Sequence, residues 1–220
     1  IGAFCAFFFL SNLVQNLYLG IAIAVLVAGG LALLIELLGY RPLLQKKARR
    51  IYLLITGLGI STMCENLIII CFSSRFRVYP INFSNESINI LGASVGQIDL
   101  IIFVVSMIAL IAVELFIRKS RAGLAIRGAS FDLEATSLMG VNVQKLILIV
   151  FMIAGSLAGL AGALLGAKYT AFPTLGTAMT NKAFISSVFG GLGSIPGAVL
   201  GAILLGVGET MIASYVSSSM

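Results

Sequence analysis

Residues 189–209 read FGGLGSIPGAVLGAILLGVGE, and their glycines have the density of a phosphate-binding loop. A P-loop has the pattern G-x-x-x-x-G-K-[ST], but no lysine follows Lys182 in this chain. The dinucleotide-binding pattern G-x-G-x-x-G begins at Gly191 and Gly193, but its third glycine position holds Pro196. These glycines therefore do not predict a nucleotide site, and they need an architectural explanation.

Few side chains in this sequence offer catalytic chemistry. There is no histidine, so a Ser-His-Asp triad and a His-ligated metal or haem are excluded within these residues. The cysteines, Cys5, Cys64 and Cys71, lie inside apolar runs without the C-x-x-C spacing of metal and redox sites. We therefore predict that the chain is not an enzyme and that it holds no metal or other cofactor.

The segment ISTMCENLIII places polar groups inside an apolar run. Glu65 and Asn66 lie fifteen residues into the predicted helix, where an ionisable group is costly unless it faces other helices or water. Together with Ser61 and Thr62, they are candidates for lining a substrate path. Interhelical hydrogen bonds that fix packing are the alternative. Glu65 is the one carboxylate that the sequence places clearly in the middle of a run.

The amino-acid composition indicates that most of the chain lies in a lipid bilayer. Of 220 residues, 60% are hydrophobic and 10% charged, and the mean hydropathy is +1.11. Soluble domains have about 25% charged residues. Apolar runs near the roughly 20 residues of a membrane-spanning helix recur along the chain. The sequence predicts an all-α, polytopic transmembrane helix bundle with about seven segments, located at residues 1–10, 18–39, 51–72, 99–117 and 146–166 and as a broken pair within 183–216.

Basic residues predict the orientation of these segments. Five of the fourteen Lys and Arg residues lie in 41–50 and five in 118–145. Positively charged loops stay in the cytoplasm, so residues 1–10 are expected to run outward and the later segments to alternate. Basic loops on the cytoplasmic side, in contact with the lipid bilayer, then account for the net charge of +6. Nucleic acid is not an expected partner. Residues 1–10 provide only half a span, so we expect a single domain over 1–220 that is incomplete at both ends.

The segment 118–145, RKSRAGLAIRGASFDLEATSLMGVNVQK, predicts a short cytoplasmic helix. Ser130 is the predicted N-cap, Asp132 and Glu134 lie in the first turn, and Gly140 ends the helix. A helix of about ten residues cannot span a membrane, yet it has one apolar stripe. Either a groove in another protein or the membrane interface can cover such a stripe, which consists of Phe131, Ala135, Leu138 and Met139.

Three segments together resemble a known family. They are RPLLQKKARRIYLLITGLGISTMCENLIII, LEATSLMGVN, and LAGLAGALLGAKYTAFPTLGTAMTNKAFISSVFGGLGSIPGAVLGAILLGVGE. The chain resembles the membrane permease of bacterial branched-chain amino-acid ABC importers, the LivH type. Importers of this kind dock the pattern E-A-A-x-x-x-G into the ATPase. Glu134, Ala135 and Gly140 match it, Thr136 replaces the second alanine, and the later proline is missing, so the resemblance implies a coupling role for residues 131–140.

The resemblance also implies partners and a location. It implies a heterodimer with a second related permease, two ABC ATPase subunits that use ATP and Mg, and an extracytoplasmic substrate-binding protein. It implies a bacterial inner-membrane protein with a further helix at each end. Branched-chain amino acids are the implied substrates. Urea, short amides and simple sugars are carried by related permeases, and a secondary transporter is the remaining alternative.

Small residues recur with helical spacing in the last two predicted regions. In 146–166 they form two faces, one with Gly155 and Gly159 and one with Gly162, which would allow close backbone approach in lipid. The later GGLGSIPG is expected to break the chain between two short helices. The break either lies beside the substrate path or is a plain tight turn. The residues assigned to this break and its packing are Gly190, Gly191, Gly193, Pro196 and Gly197.

Overall fold

The computed structural model describes residues 1–12, 17–46, 50–72, 76–77, 79, 87–90, 93–191 and 193–215. Lys47 and Arg49, part of the basic run that predicts orientation, lie outside these residues. The described chain divides into two compact units, residues 1–173 and 174–220. The single-domain assignment for 1–220 stays a prediction.

Unit 1 is built from eight α-helices and a short hairpin among its described residues. The helices are α1 (Gly2–Asn12), α2 (Leu17–Ile35), α3 (Arg41–Gln45), α4 (Arg50–Phe72), α5 (Gln97–Lys119), α6 (Arg121–Phe131), α7 (Leu133–Leu138) and α8 (Val143–Lys168). Between α2 and α3 the helix widens into a π-helical turn, Glu36–Tyr40. The antiparallel strands β1 (Ser87–Ile90) and β2 (Ala93–Gly96) pair between α4 and α5.

Unit 2 is a pair of helices, α9 (Leu175–Phe189) and α10 (Ile195–Tyr215), which pack on each other. The first begins eight residues earlier than the predicted pair at 183–216. Lys182 therefore lies inside a helix. Residues 175–181 include polar side chains, so an apolar run does not mark the start of this helix.

The predicted helical membrane fold is confirmed, with a smaller number of spans. Five helices in the described part are long and apolar enough to cross a membrane: Leu19–Gln45, Ile51–Phe72, Gln97–Lys119, Val143–Lys168 and Ile195–Tyr215. Such helices satisfy their backbone hydrogen bonds internally, as lipid requires. The prediction of about seven segments also counted α1 and α9, which have only 11 and 15 residues.

Helix α8 organises unit 1. It contacts α1, α2, α5, α6 and α7. Buried side chains of α1 cover one part of it, and aromatic contacts extend this core: the rings of Tyr40 and Phe151 are 4.9 Å apart, and those of Phe4 and Phe72 are 5.5 Å apart. At the start of α5, the Asp99 carboxylate lies 2.6 Å from Lys168 Nζ at the end of α8.

Candidate transport and coupling sites

The predicted coupling segment consists of two helices with a break at one residue. Helix α6 ends at Phe131, Asp132 adopts an extended conformation (φ −151°, ψ 115°), and α7 follows. The Asp132 carboxylate accepts hydrogen bonds from the backbone N–H groups of Glu134 (2.8 Å) and Ala135 (3.2 Å). Asp132 is therefore the N-cap of α7, because its oxygen satisfies N–H groups that have no partner within the helix.

The expectation of a ten-residue helix capped by Ser130 is wrong. The Ser130 hydroxyl donates to the backbone oxygen of Arg127 (2.7 Å), so it bonds back into α6. Helix α7 has six residues and ends at Leu138, and Gly140 follows with φ +80°, a conformation that favours glycine. Both Ser130 and Asp132 are good capping residues, so the sequence alone does not separate them.

Helix α7 buries one residue, Thr136, and exposes the others. Thr136 is buried, and its hydroxyl donates to the backbone oxygen of Asp132 (2.7 Å). The opposite side is open: the exposed fractions are 92% for Phe131, 87% for Leu138 and 86% for Met139. The predicted apolar stripe, with exposed Ala135 between these side chains, therefore lies on the surface of unit 1.

The polar residues of α4 lie along its outer surface. Ser61, Thr62 and Asn66 are exposed, and Glu65 is partly exposed. The Thr62 hydroxyl donates to the Leu58 backbone oxygen (2.9 Å), and the Asn66 amide donates to the Thr62 backbone oxygen (2.8 Å). These bonds stay within one helix. A substrate path along these four residues stays a prediction.

Glycines of α8 lie where other helices approach most closely. A Cβ atom on Gly159 would come within 2.5 Å of Ala28 Cβ on α2, and one on Gly155 would overlap Ala32. On the other small face, a Cβ atom on Gly162 would lie 3.3 Å from the backbone nitrogen of Ala3 on α1. One face therefore meets α2 and the other α1, which is how small residues permit helix packing in lipid.

The glycine-rich break of unit 2 is a tight helix connection. Gly191 and Gly193 have φ values of +93° and +98°, which few other residues adopt at low cost. Ser194 caps α10, because its hydroxyl accepts a hydrogen bond from Gly197 N–H (3.2 Å). Pro196 follows in the first turn, where its missing N–H costs little. A Cβ atom on Gly190 or Gly197 would overlap the other residue's backbone.

Three charged residues of functional interest are not among the predicted site residues. Lys182 of α9 forms an ion pair with Glu209 of α10. Glu36 is 2% exposed and begins the π-helical turn, and its Oε2 atom has no hydrogen-bond partner among the described residues. Glu65 is therefore not the one carboxylate inside the helices. For Glu36 and Glu209 the sequence signal was a single charge within an apolar run, where burial of the charge is costly.

These helices define a multi-pass membrane protein. The sequence profile of the family described as the permease component of the branched-chain amino acid transport system matches residues 1–220, and the chain belongs to this family. No solved structure matches it.

Several permeases are similar to the chain over most of its length. The high-affinity branched-chain amino acid permease LivH of Salmonella typhimurium is 34% identical over 200 residues, covering 89% of this chain and 64% of the relative. BraD of Pseudomonas aeruginosa, with the same description, is 35% identical over 193 residues (86% and 62%). A probable LivH of Methanocaldococcus jannaschii is 29% identical over 201 residues (88% and 62%). The chain thus spans just under two thirds of the length of these relatives.

Proposed function

We propose that this chain is a permease subunit of an ATP-driven importer that carries branched-chain amino acids across the bacterial inner membrane. The family and the descriptions of LivH and BraD support the transport role and the substrate class. The ATP-coupling part of the proposal rests on one observation, the exposed apolar stripe of the α6–α7 segment.

This stripe has the properties of a docking surface. Phe131 ends α6, Leu138 and Met139 lie at the end of α7, and each is more than four-fifths exposed. Large apolar side chains exposed on a short helix are often covered by a partner, and a short helix in a groove is a common arrangement. The Asp132 cap and the positive φ of Gly140 define both ends of α7. Because the helix is preformed, docking would cost little ordering entropy.

The proposed assembly contains three further kinds of subunit. A second related permease would complete a heterodimer, and two ABC ATPase subunits, which bind ATP and Mg, would cover the docking segments. An extracytoplasmic binding protein would deliver the amino acid and set most of the specificity. ATP binding would move the docked segment, and this motion would open or close the helix bundle around the path.

One observation favours a second candidate. Glu36 and Glu65 are two carboxylates within spanning helices, and secondary transporters use such groups to handle a coupling ion. That candidate does not require a partner for the stripe, so the two can be separated. Permeases for urea, short amides or simple sugars would share the stripe, and they differ from the main proposal in substrate alone.

The test is co-purification from native membranes in mild detergent. We compare the wild-type chain with a variant that carries Glu134→Arg and Leu138→Asp. The control is Arg121→Glu, which reverses an exposed charge at the start of α6, ten residues before Phe131 and on another face of the helix. The proposal predicts that an ATPase co-purifies with the wild type and the control and is lost from the double variant.

Two results would contradict this proposal. Recovery of no ATPase with the wild type removes the ATP-driven mechanism and leaves the secondary transporter, with Glu36 and Glu65 as the residues to test. Recovery of the same amount of ATPase with the double variant removes the docking role of the stripe. Hydrogen exchange in α8 would report whether the variants keep the fold, because α8 contacts most of the helices of unit 1.

A further inference from the structure

The ion pair of unit 2 lies inside both of its helices. Lys182 is the central residue of α9, with seven residues on each side, and Glu209 lies six residues before the end of α10. At a rise of 1.5 Å per residue, both charges are roughly 9–10 Å from the nearest helix end. Helix α10 is long and apolar enough to cross a membrane, and a charged side chain inside such a helix is rare and is a candidate functional site.

The packing of this hairpin does not depend on the pair. Gly190, Gly197 and Gly201 bring the two helices into backbone contact, and a Cβ atom on Gly201 would overlap the backbone oxygen of Ser186. Close contact between small residues is sufficient to hold two helices together in lipid. The packing of α9 on α10 can therefore be explained without a structural role for the Lys182–Glu209 ion pair.

The pair has unused binding capacity. The contact joins Lys182 Nζ to Glu209 Oε1, and the side chains stay 46% and 53% exposed within unit 2. An ammonium group has three N–H donors and a carboxylate has two oxygens, so two donors and the Oε2 atom can meet a ligand. A ligand that carries both a negative and a positive charge would give each of these free positions an oppositely charged partner.

Apolar side chains flank the two charges. Ile185 and Ile212 each follow their charged residue by three positions, a spacing that places side chains next to each other on a helix. Both isoleucines are exposed, at 44% and 64%. Because α9 and α10 are antiparallel, Ile185 lies on the connection side of the ion pair and Ile212 lies beyond it, so each charge has one branched apolar neighbour.

We infer that Lys182 and Glu209 bind the head group of a zwitterionic α-amino acid. The substrate carboxylate accepts hydrogen bonds from Lys182 Nζ, and the substrate ammonium group donates to the Glu209 carboxylate. Each charge of the protein gains an opposite partner, so the loaded site carries no net charge. Ile185, which follows Lys182 by three positions on α9, contacts the apolar side chain of the substrate. Urea and simple sugars have no charges to match this pair. The inference rests on the proposed function, since it names the site that would take its substrate.

The test uses the full assembly in proteoliposomes, with the partner permease, the ATPases and the binding protein. ATP-dependent uptake of radiolabelled leucine is measured for the wild type and for the double variant Lys182→Gln, Glu209→Gln. This variant removes both charges without leaving one unpaired. Uptake is expected to fall about tenfold or more, as when a charge-assisted hydrogen bond is lost. Glu114→Gln is the matched control, because it breaks the Glu114–Arg118 pair (2.8 Å) on α5, and uptake should not change.

A second variant keeps the ion pair and reverses it: Lys182→Glu with Glu209→Lys. If the ion pair only stabilises the hairpin, this exchange preserves its role. If the pair binds substrate, the amino acid would have to bind in the opposite direction, with its side chain misplaced. We expect normal assembly and thermal stability with uptake still lost. Leucine uptake at the wild-type rate by either double variant would overturn the inference alone. Absence of uptake of leucine, isoleucine and valine by the wild type would overturn the proposed substrate as well, so the two failures are distinguishable.

Discussion

In the contact between α8 and α2, glycines of one helix face alanines of the other. The π-helical turn after α2 begins with Glu36, whose carboxyl group is buried with one oxygen unpartnered among the described residues. In the contact between α9 and α10, glycines meet backbone directly, and the charges of Lys182 and Glu209 remain half-exposed. Both contacts depend on the absence of a Cβ atom, which allows dispersion contacts between backbones in lipid.

The difference lies in what surrounds each contact. Helix α8 contacts five other helices of unit 1, and Glu36, in the turn after α2, is only 2% exposed. Within unit 2, α9 and α10 pack on each other while Lys182 and Glu209 stay about half-exposed, so their charges can meet a further molecule. Close packing through glycine therefore does not by itself determine whether a nearby charged group is available.

The largest effect is expected from filling a glycine contact in unit 1. In Gly159→Leu, the new side chain would meet Ala28 and the Ala24 backbone oxygen, where even a Cβ atom is within 2.7 Å. We expect the free energy of unfolding in detergent to fall by about 3 kcal/mol. The control Gly30→Leu lies on the open side of α2, with nothing within 4 Å, and should cost little.

The matching substitution in unit 2 is Gly201→Leu. Its side chain would overlap Ser186 O, so α9 and α10 should separate. Hydrogen exchange is expected to rise only in α9 and α10, whereas Gly159→Leu should raise exchange in α1, α2 and α8 together. If Gly201→Leu raises exchange throughout unit 1, the two contacts are not independent and the comparison fails.

A smaller effect is expected at the buried carboxyl group. Glu36→Met replaces an unpartnered polar atom with an apolar one of similar length, and we expect stability to rise by about 2 kcal/mol. Glu36→Gln retains a buried polar group and should stay near the wild-type value. Leucine uptake should survive Glu36→Met and be lost in Glu209→Met. Loss of uptake in a stabilised Glu36→Met protein would instead make Glu36 a functional group.

The smallest effect concerns a side chain that completes the packing of α8. The buried hydroxyl of Tyr79 donates to the Ala3 backbone oxygen (2.8 Å) and lies beside Gly166. Tyr79→Phe removes this bond and should cost about 1 kcal/mol in thermal unfolding at neutral pH.

Burial also raises the pKa of Tyr79 above its usual value. The neutral hydroxyl therefore stabilises the folded state below about pH 10, and this contribution decreases as the unfolded chain releases its proton at higher pH. The advantage of the wild type over Tyr79→Phe should thus shrink above about pH 10. An advantage that grows at high pH would contradict this assignment.

Much of the fold could be predicted from local signals. Apolar runs near the length of a bilayer gave the spanning helices, and small residues four apart gave the close faces of α8. The six-residue helix α7 was predicted too long, because Asp132 competes successfully with Ser130 for the cap. Capping depends on the backbone conformation of a single residue, which composition does not report.

The sequence by itself determined that this is a helical membrane protein, that its glycines serve packing, and that an apolar stripe lies in the basic segment 118–145. These properties follow from the transfer of side chains and backbone between water and lipid, which depends on residue type. Only the tertiary structure decided that Glu36 is buried and that Lys182 meets Glu209, residues 27 positions apart. The cost of a charge depends on its partners and its depth, and both are set by how the helices pack.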